Sequence, residues 1–113
     1  MALVAMALLA GCGGGPTQPA GSIKVTMTEF EFSPSPITAP SGKVVFFLVN
    51  SGTTSHNMII RDSANRRLKG SDLVSAGDSF VFTVASIAPG TYTYFCDQQG
   101  HEASGMKGTL TIT

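Results

Sequence analysis

Charge is scarce in this 113-residue chain: seven basic and seven acidic side chains cancel, and charged residues are only 12% of the whole. Without a basic excess there is no electrostatic footprint for nucleic acid, and no nucleic-acid partner is expected. Long apolar runs are missing too. The stretch 1–10 is about half the length a membrane-spanning helix needs, and no segment carries the period of an amphipathic helix. Cysteine occurs twice, as Cys12 and Cys96, and histidine twice, as His56 and His101. With Cys12 beside an apolar leader and Cys96 far downstream, no disulfide is expected to brace the fold. What the chain does have is 42% apolar residues, enough for one packed domain and too many for a disordered one.

The leader closes on Leu9-Ala10-Gly11-Cys12. Its length suits the apolar centre of a secretory signal, and Leu-Ala-Gly-Cys resembles the bacterial lipobox, in which cleavage precedes a cysteine that is then lipidated. No Lys or Arg precedes the run, a departure from the usual positive start. The expected division is a signal over 1–11, lipidated Cys12 and a flexible Gly/Pro tether over 12–21, and a folded domain over 22–113. That predicts export to the periplasm or cell surface and anchorage to a membrane through Cys12.

Beyond the tether the pattern is that of short strands. Ile23, Val25 and Met27 alternate with polar residues, and Phe30 and Phe32 continue out of phase, which predicts a bulge or bend near Glu29. Pro34, Pro36 and Pro40 confine Ile37-Thr38 to a short edge piece. Val44 to Val49 is apolar on both faces, as in a strand covered on both sides. Further strands are expected from Asn57, over Ser79–Val84, over Thr91–Cys96 with Cys96 on the inward side with Tyr92 and Tyr94, and over Gly108–Thr113. The segment 61–71 holds Arg61, Arg66, Arg67 and Lys69 without an apolar period and reads as a solvated loop, the alternative being a docking patch for an acidic partner or anionic lipid. Short strands and frequent turns predict an all-β sandwich.

The chemistry concentrates in 94–106, Tyr-Phe-Cys-Asp-Gln-Gln-Gly-His-Glu-Ala-Ser-Gly-Met. It carries Cys96, His101 and Met106 in the order Cys-x4-His-x4-Met. Each residue alone has an ordinary explanation: a buried thiol, a surface imidazole, a core thioether. Together with His56, which follows an apolar strand, they form the two-His, Cys and Met set of a mononuclear blue copper centre. Soft sulfur suits Cu(I) and imidazole suits Cu(II), so the mixed set serves both states. Met is a poor ligand for zinc, which also does no redox work. A dinuclear copper centre would need a second Cys between Cys96 and His101, and multicopper enzymes need further histidines.

Asn50, His56-Asn57 and Tyr-x-Tyr-Phe-Cys-x4-His-x4-Met-x-Gly-x-Leu resemble the cupredoxins, small blue copper electron carriers of the plastocyanin and azurin type. The resemblance covers about 22–113. It implies a Greek-key β-sandwich holding one copper ion at one end through His56, Cys96, His101 and Met106. It further implies that Asn57 hydrogen-bonds across to the 96–106 loop and that a backbone N–H nearby reaches the Cys96 sulfur. Gly100, Gly105 and Gly108 are expected to permit tight turns between ligands. Where the family often has Pro-Gly-His, this chain has Gln99-Gly100-His101.

The expected function is therefore that of a non-enzymatic monomer passing single electrons between redox proteins outside the cytoplasm. Copper storage or delivery is the alternative, and service as a subunit of one oxidase a third. His101, flanked by small residues, is the expected electron port, with Ala103, Gly105 and Pro36 as candidates for the apolar patch around it.

Overall fold

The computed structural model describes residues 15–113. The expected signal over 1–11 and the lipidation site Cys12 lie outside the described residues. Residues 15–21 form no strand and are exposed apart from half-buried Pro19.

Two mixed sheets face each other as a Greek-key β-sandwich. One is ordered β2-β1-β4-β7 and built from β1 (Ile23–Thr28), β2 (Glu31–Ser33), β4 (Gly42–Asn50) and β7 (Ser79–Ile87). The other is ordered β3-β9-β8-β5-β6, from β3 (Ile37–Ala39), β5 (Ile59–Arg61), β6 (Arg67–Gly70), β8 (Gly90–Phe95) and β9 (Lys107–Ile112). β4 is central because it can be: Val44, Phe46 and Leu48 enter the core while Phe47 is buried on the opposite face. Facing side chains from the second sheet include Ile60, Tyr94, Leu110 and Ile112. Phe46 stacks on Phe82 of the neighbouring strand, centroids 5.9 Å apart, a cross-strand pair that fixes register. Ile37–Ala39 is the edge of its sheet, paired parallel to β9, where prolines on either side cost no ladder bonds.

Three expectations need correction. The irregularity near Glu29 is a chain reversal and not a bulge. Thr28 pairs with Glu31, leaving Glu29-Phe30 as a two-residue turn, and Phe30, the second of the two, takes a positive φ of 66°. Phe32 is out of phase with Met27 because it belongs to another strand. The segment 61–71 is likewise not a loop throughout: Arg61 ends β5 and Arg67–Gly70 is an edge strand. Edge strands are held by backbone pairing and need no apolar alternation. Gly108, finally, makes no turn. It sits within β9, opposite Tyr94, and a side chain there would collide with the Tyr94 ring. Tyr94 is fully buried, donates to Ser35 Oγ at 2.8 Å, and meets Phe32 edge-on.

Register brings several strand ends together. Parallel pairing sets Met27 beside Asn50, antiparallel pairing sets Phe95 beside Lys107, and Ile59 also pairs with Phe95. The loops leaving β1, β4 and β8 therefore meet at one end of the sandwich.

Candidate metal centre

His56 is positioned by the loop that follows β4. Buried Asn50 organises that loop: its Nδ2 donates to the carbonyls of Thr54 (2.8 Å) and Val74 (2.9 Å), and its Oδ1 accepts from the Gly52 N–H (2.9 Å). His56 then makes an isolated antiparallel bridge with Val74, N–H to O distances 3.0 and 2.8 Å. Its imidazole is fully buried. Burial depresses its pKa, the nearby His101 acts in the same direction, and a hydrogen bond to Glu29 opposes both.

Cys96 follows β8 directly, on the inward side with Tyr94, and is also fully buried. Its N–H donates to the Met106 carbonyl at 3.2 Å, closing the loop at its base. Within the loop, Met106 N–H donates to the His101 carbonyl (3.0 Å) and His101 N–H to Gln98 (2.9 Å). Gly100 and Gly105 take φ values of 82° and 106°, a conformation that side chains resist. The loop thus presents a buried thiol, a half-buried imidazole and a buried thioether in a compact unit.

One donor atom from each of His56, Cys96 and His101 lies within 4.8 Å of the others, the one such group among the described residues. Cys96 Sγ is 3.9 Å from His56 Nδ1 and 3.4 Å from His101 Nδ1. The imidazole centroids are 5.0 Å apart. A thiol between two ring nitrogens, shielded from solvent and joined by Met106, is the donor chemistry of a type 1 copper site. The residues present fit one copper ion.

Around this cluster, Asn57 Nδ2 donates to Asp97 Oδ1 at 2.6 Å, and Asp97 N–H donates back to Asn57 Oδ1 at 3.0 Å. Arg67 Nη1 reaches Asp97 Oδ2 at 3.2 Å. These contacts, the Asn57 bond foremost, hold the Asp97 carboxyl below its ordinary pKa. No backbone N–H donates to Cys96 Sγ among the described residues; its polar neighbours are the two imidazoles. Arg61 pairs with Glu102 and lies 4.4 Å above the Phe95 ring, and Arg66 pairs with Asp62. Three of its four cations are thus paired, with Arg66 and Arg67 remaining exposed.

Two neighbours escaped the sequence reading. The Glu29 carboxylate faces His56 Nε2 at 3.4 Å. It also accepts from Thr54 N–H (2.9 Å), Thr53 N–H (2.6 Å) and Thr54 Oγ1 (3.2 Å). Those backbone donors, Thr54 first, lower its pKa to about 2. Phe30, 42% exposed, sets its ring against His101. Neither has a local sequence signal beyond the phase break at Glu29. Of the expected patch residues, Ala103, Gly105 and Pro36 are all exposed, and the ring in contact with His101 belongs to Phe30.

Comparison with known proteins agrees with this geometry. The family model described as a cupredoxin-like domain matches residues 1–112. Plastocyanin of Dryopteris crassirhizoma is 35% identical over 94 residues, covering 74% of this chain and 88% of that one. Auracyanin-B of Chloroflexus aurantiacus is 51% identical over 41 residues, which is 36% of this chain and only 17% of the relative. Among solved structures, auracyanin B superposes with a TM-score of 0.75 at 25% identity, covering 87% of this chain and 92% of the other.

Proposed function

This chain belongs to the cupredoxin-like family, and on that basis we propose that His56, Cys96, His101 and Met106 hold one copper ion in a protein that carries single electrons between redox partners outside the cytoplasm. The observation that carries the reading is the convergence of His56, Cys96 and His101 donor atoms within 4.8 Å, with His56 and Cys96 buried and His101 half-buried. Copper, when bound, supplies the chemistry by alternating between Cu(II) and Cu(I). The protein's part is positional. His56 is fixed to the sandwich by its bridge to Val74, while Cys96, His101 and Met106 share one hydrogen-bonded loop. Asn57 locks that loop to the segment carrying His56 through its paired bonds with Asp97. Such outer contacts limit rearrangement when the charge at the centre changes.

Delivery or storage of copper is the competing role, and the burial of three of the four donors speaks against it, since an ion is handed over from an open site. The protein acts as a monomer, with redox proteins as donor and acceptor. Electrons pass through His101, the one half-buried donor of the four. Cyclic voltammetry of the copper-loaded protein, with a chelator challenge alongside, tests the role. A reversible one-electron wave with copper retained is expected; prompt transfer to the chelator without a reversible wave would refute it.

The tether over 12–21, with a lipid on Cys12, serves to hold the domain over 22–113 at a membrane. The lipobox-like Leu-Ala-Gly-Cys supports this. Mass spectrometry of the native protein is expected to show a modified Cys12, and an unmodified Cys12 in the mature chain would exclude the anchor.

A further inference from the structure

Building on the assignment of His56 as a copper ligand, we propose that Glu29 is a positioning residue of the centre, whose carboxylate selects the His56 tautomer and lowers the reduction potential of the bound ion.

The two ring nitrogens of His56 face opposite partners. Nδ1 points to Cys96 Sγ at 3.9 Å and Nε2 to Glu29 Oε1 at 3.4 Å. A neutral imidazole carries one proton, and an ionised carboxylate can only accept. The proton therefore sits on Nε2, leaving the Nδ1 lone pair directed at the thiol, where a metal would take it. Thr54 Oγ1, 3.5 Å from Nε2, lies beside the same carboxylate oxygen.

Glu29 is held in place by the loop that positions His56. Thr53 N–H, Thr54 N–H and Thr54 Oγ1 all converge on Oε1, two and three residues before the histidine. Gly52 completes the cradle, since a Cβ at that position would lie 2.5 Å from Oε1. The Ser51 N–H, donating to the Met27 carbonyl at 2.9 Å, ties the same loop to the end of β1. The turn between β1 and β2 thus delivers a fixed negative charge to the far nitrogen of the buried imidazole.

A carboxylate that accepts from a metal-bound imidazole raises the basicity of that ligand. Added negative charge near the ion favours the more positive state, so Cu(II) gains over Cu(I). A purely structural Glu29 would tie the turn to the loop and leave the potential alone.

Two measurements on the full chain decide the matter. In the copper-free protein, long-range 1H–15N NMR is expected to find the His56 proton on Nε2; a proton on Nδ1 would overturn the proposal, and this needs no variant. In the copper-loaded protein, Glu29→Gln keeps an oxygen for the Thr53 and Thr54 donors but removes the charge. Its expected effect is about a tenfold loss of preference for Cu(II) over Cu(I), read as a rise of about 59 mV, with the blue colour retained. A blue Glu29→Gln protein at the wild-type potential would overturn the tuning role. A His56→Gly protein with an unaltered copper spectrum would instead remove the ligand assignment beneath it, a failure distinct from either.

Discussion

The Phe30 ring stands edge-on to the His101 imidazole, centroids 5.2 Å apart and planes inclined at 77°. Phe30 is one of three exposed large apolar residues among those described, and it sits in a turn whose Glu29 carboxylate is tied to the loop that holds His56. A Cβ on Gly105 would lie 4.0 Å from the Phe30 carbonyl oxygen, so turn and loop are in near contact. Phe30 therefore extends the apolar surface around His101 that Ala103 and Gly105 begin. Phe30→Glu and Ala103→Glu are each expected to slow electron self-exchange about tenfold or more, because like charges would face each other when two molecules dock. The absorption spectrum should barely move, since no copper ligand is replaced. Unchanged self-exchange in both, with a fall when Arg66 and Arg67 are altered, would place the port elsewhere.

Met106 is fully buried and closes the loop that holds Cys96 and His101. A thioether donates to Cu(II), so Met106→Leu should keep a strongly coloured site and raise the potential, by about 59 mV for each tenfold loss in Cu(II) preference. Voltammetry checks this. An unchanged potential would show that Met106 does not touch the ion.

Asn57 and Arg67 both act on Asp97, with unequal expected weight. Asn57 is buried and exchanges two hydrogen bonds with Asp97, whereas the Arg67 side chain is 57% exposed. Asn57→Ala should cost about 1–3 kcal/mol through unsatisfied buried groups, and Arg67→Ala no more than about 1 kcal/mol, shrinking further in high salt. Urea unfolding of the copper-loaded protein reads both. Equal losses would mean that the exposed arginine anchors the loop as strongly as the buried amide, against this account.

Asp62 closes the turn between β5 and β6, accepting from Ala64 N–H and Arg66 N–H at 2.9 Å and from Arg66 Nε at 3.0 Å. Its pKa is lowered from 3.8, chiefly by the Arg66 backbone. A depressed carboxyl stabilises the fold fully above its unfolded pKa, and that contribution fades as pH falls through the lower folded value. The difference in urea midpoint between wild type and Asp62→Asn should therefore hold at neutral pH and close below about pH 3.8. A gap independent of pH would mean that the charge of Asp62 does not matter.

Much of this centre could be read from the chain because its chemistry is local. Cys96, His101 and Met106 lie on one loop, and a scarcity of His and Cys left His56 as the only further imidazole. The strands β4 and β7 were legible from apolar runs that a sandwich interior requires. Glu29 was not, because its partner His56 is brought to it by the pairing of β1 with β4, a non-local event. Phe30 looked like the continuation of an alternating strand, since nothing in a phenylalanine announces a positive φ. Gly108 looked like turn chemistry, and only the Tyr94 ring across the ladder explains it. β6 carries no apolar alternation, so its strand character comes from backbone pairing with β5 alone.

The central claim is that Cys96 and the two histidines bind copper through a thiolate flanked by imidazoles. Visible absorption and EPR spectra of the copper-loaded protein test it most directly. An intense blue or blue-green band from thiolate-to-Cu(II) charge transfer, with one copper per chain, is the predicted result, and Cys96→Ser should abolish the band even where copper still binds. A colourless Cu(II) form of the wild-type protein, or an intense band that survives Cys96→Ser, would contradict the account.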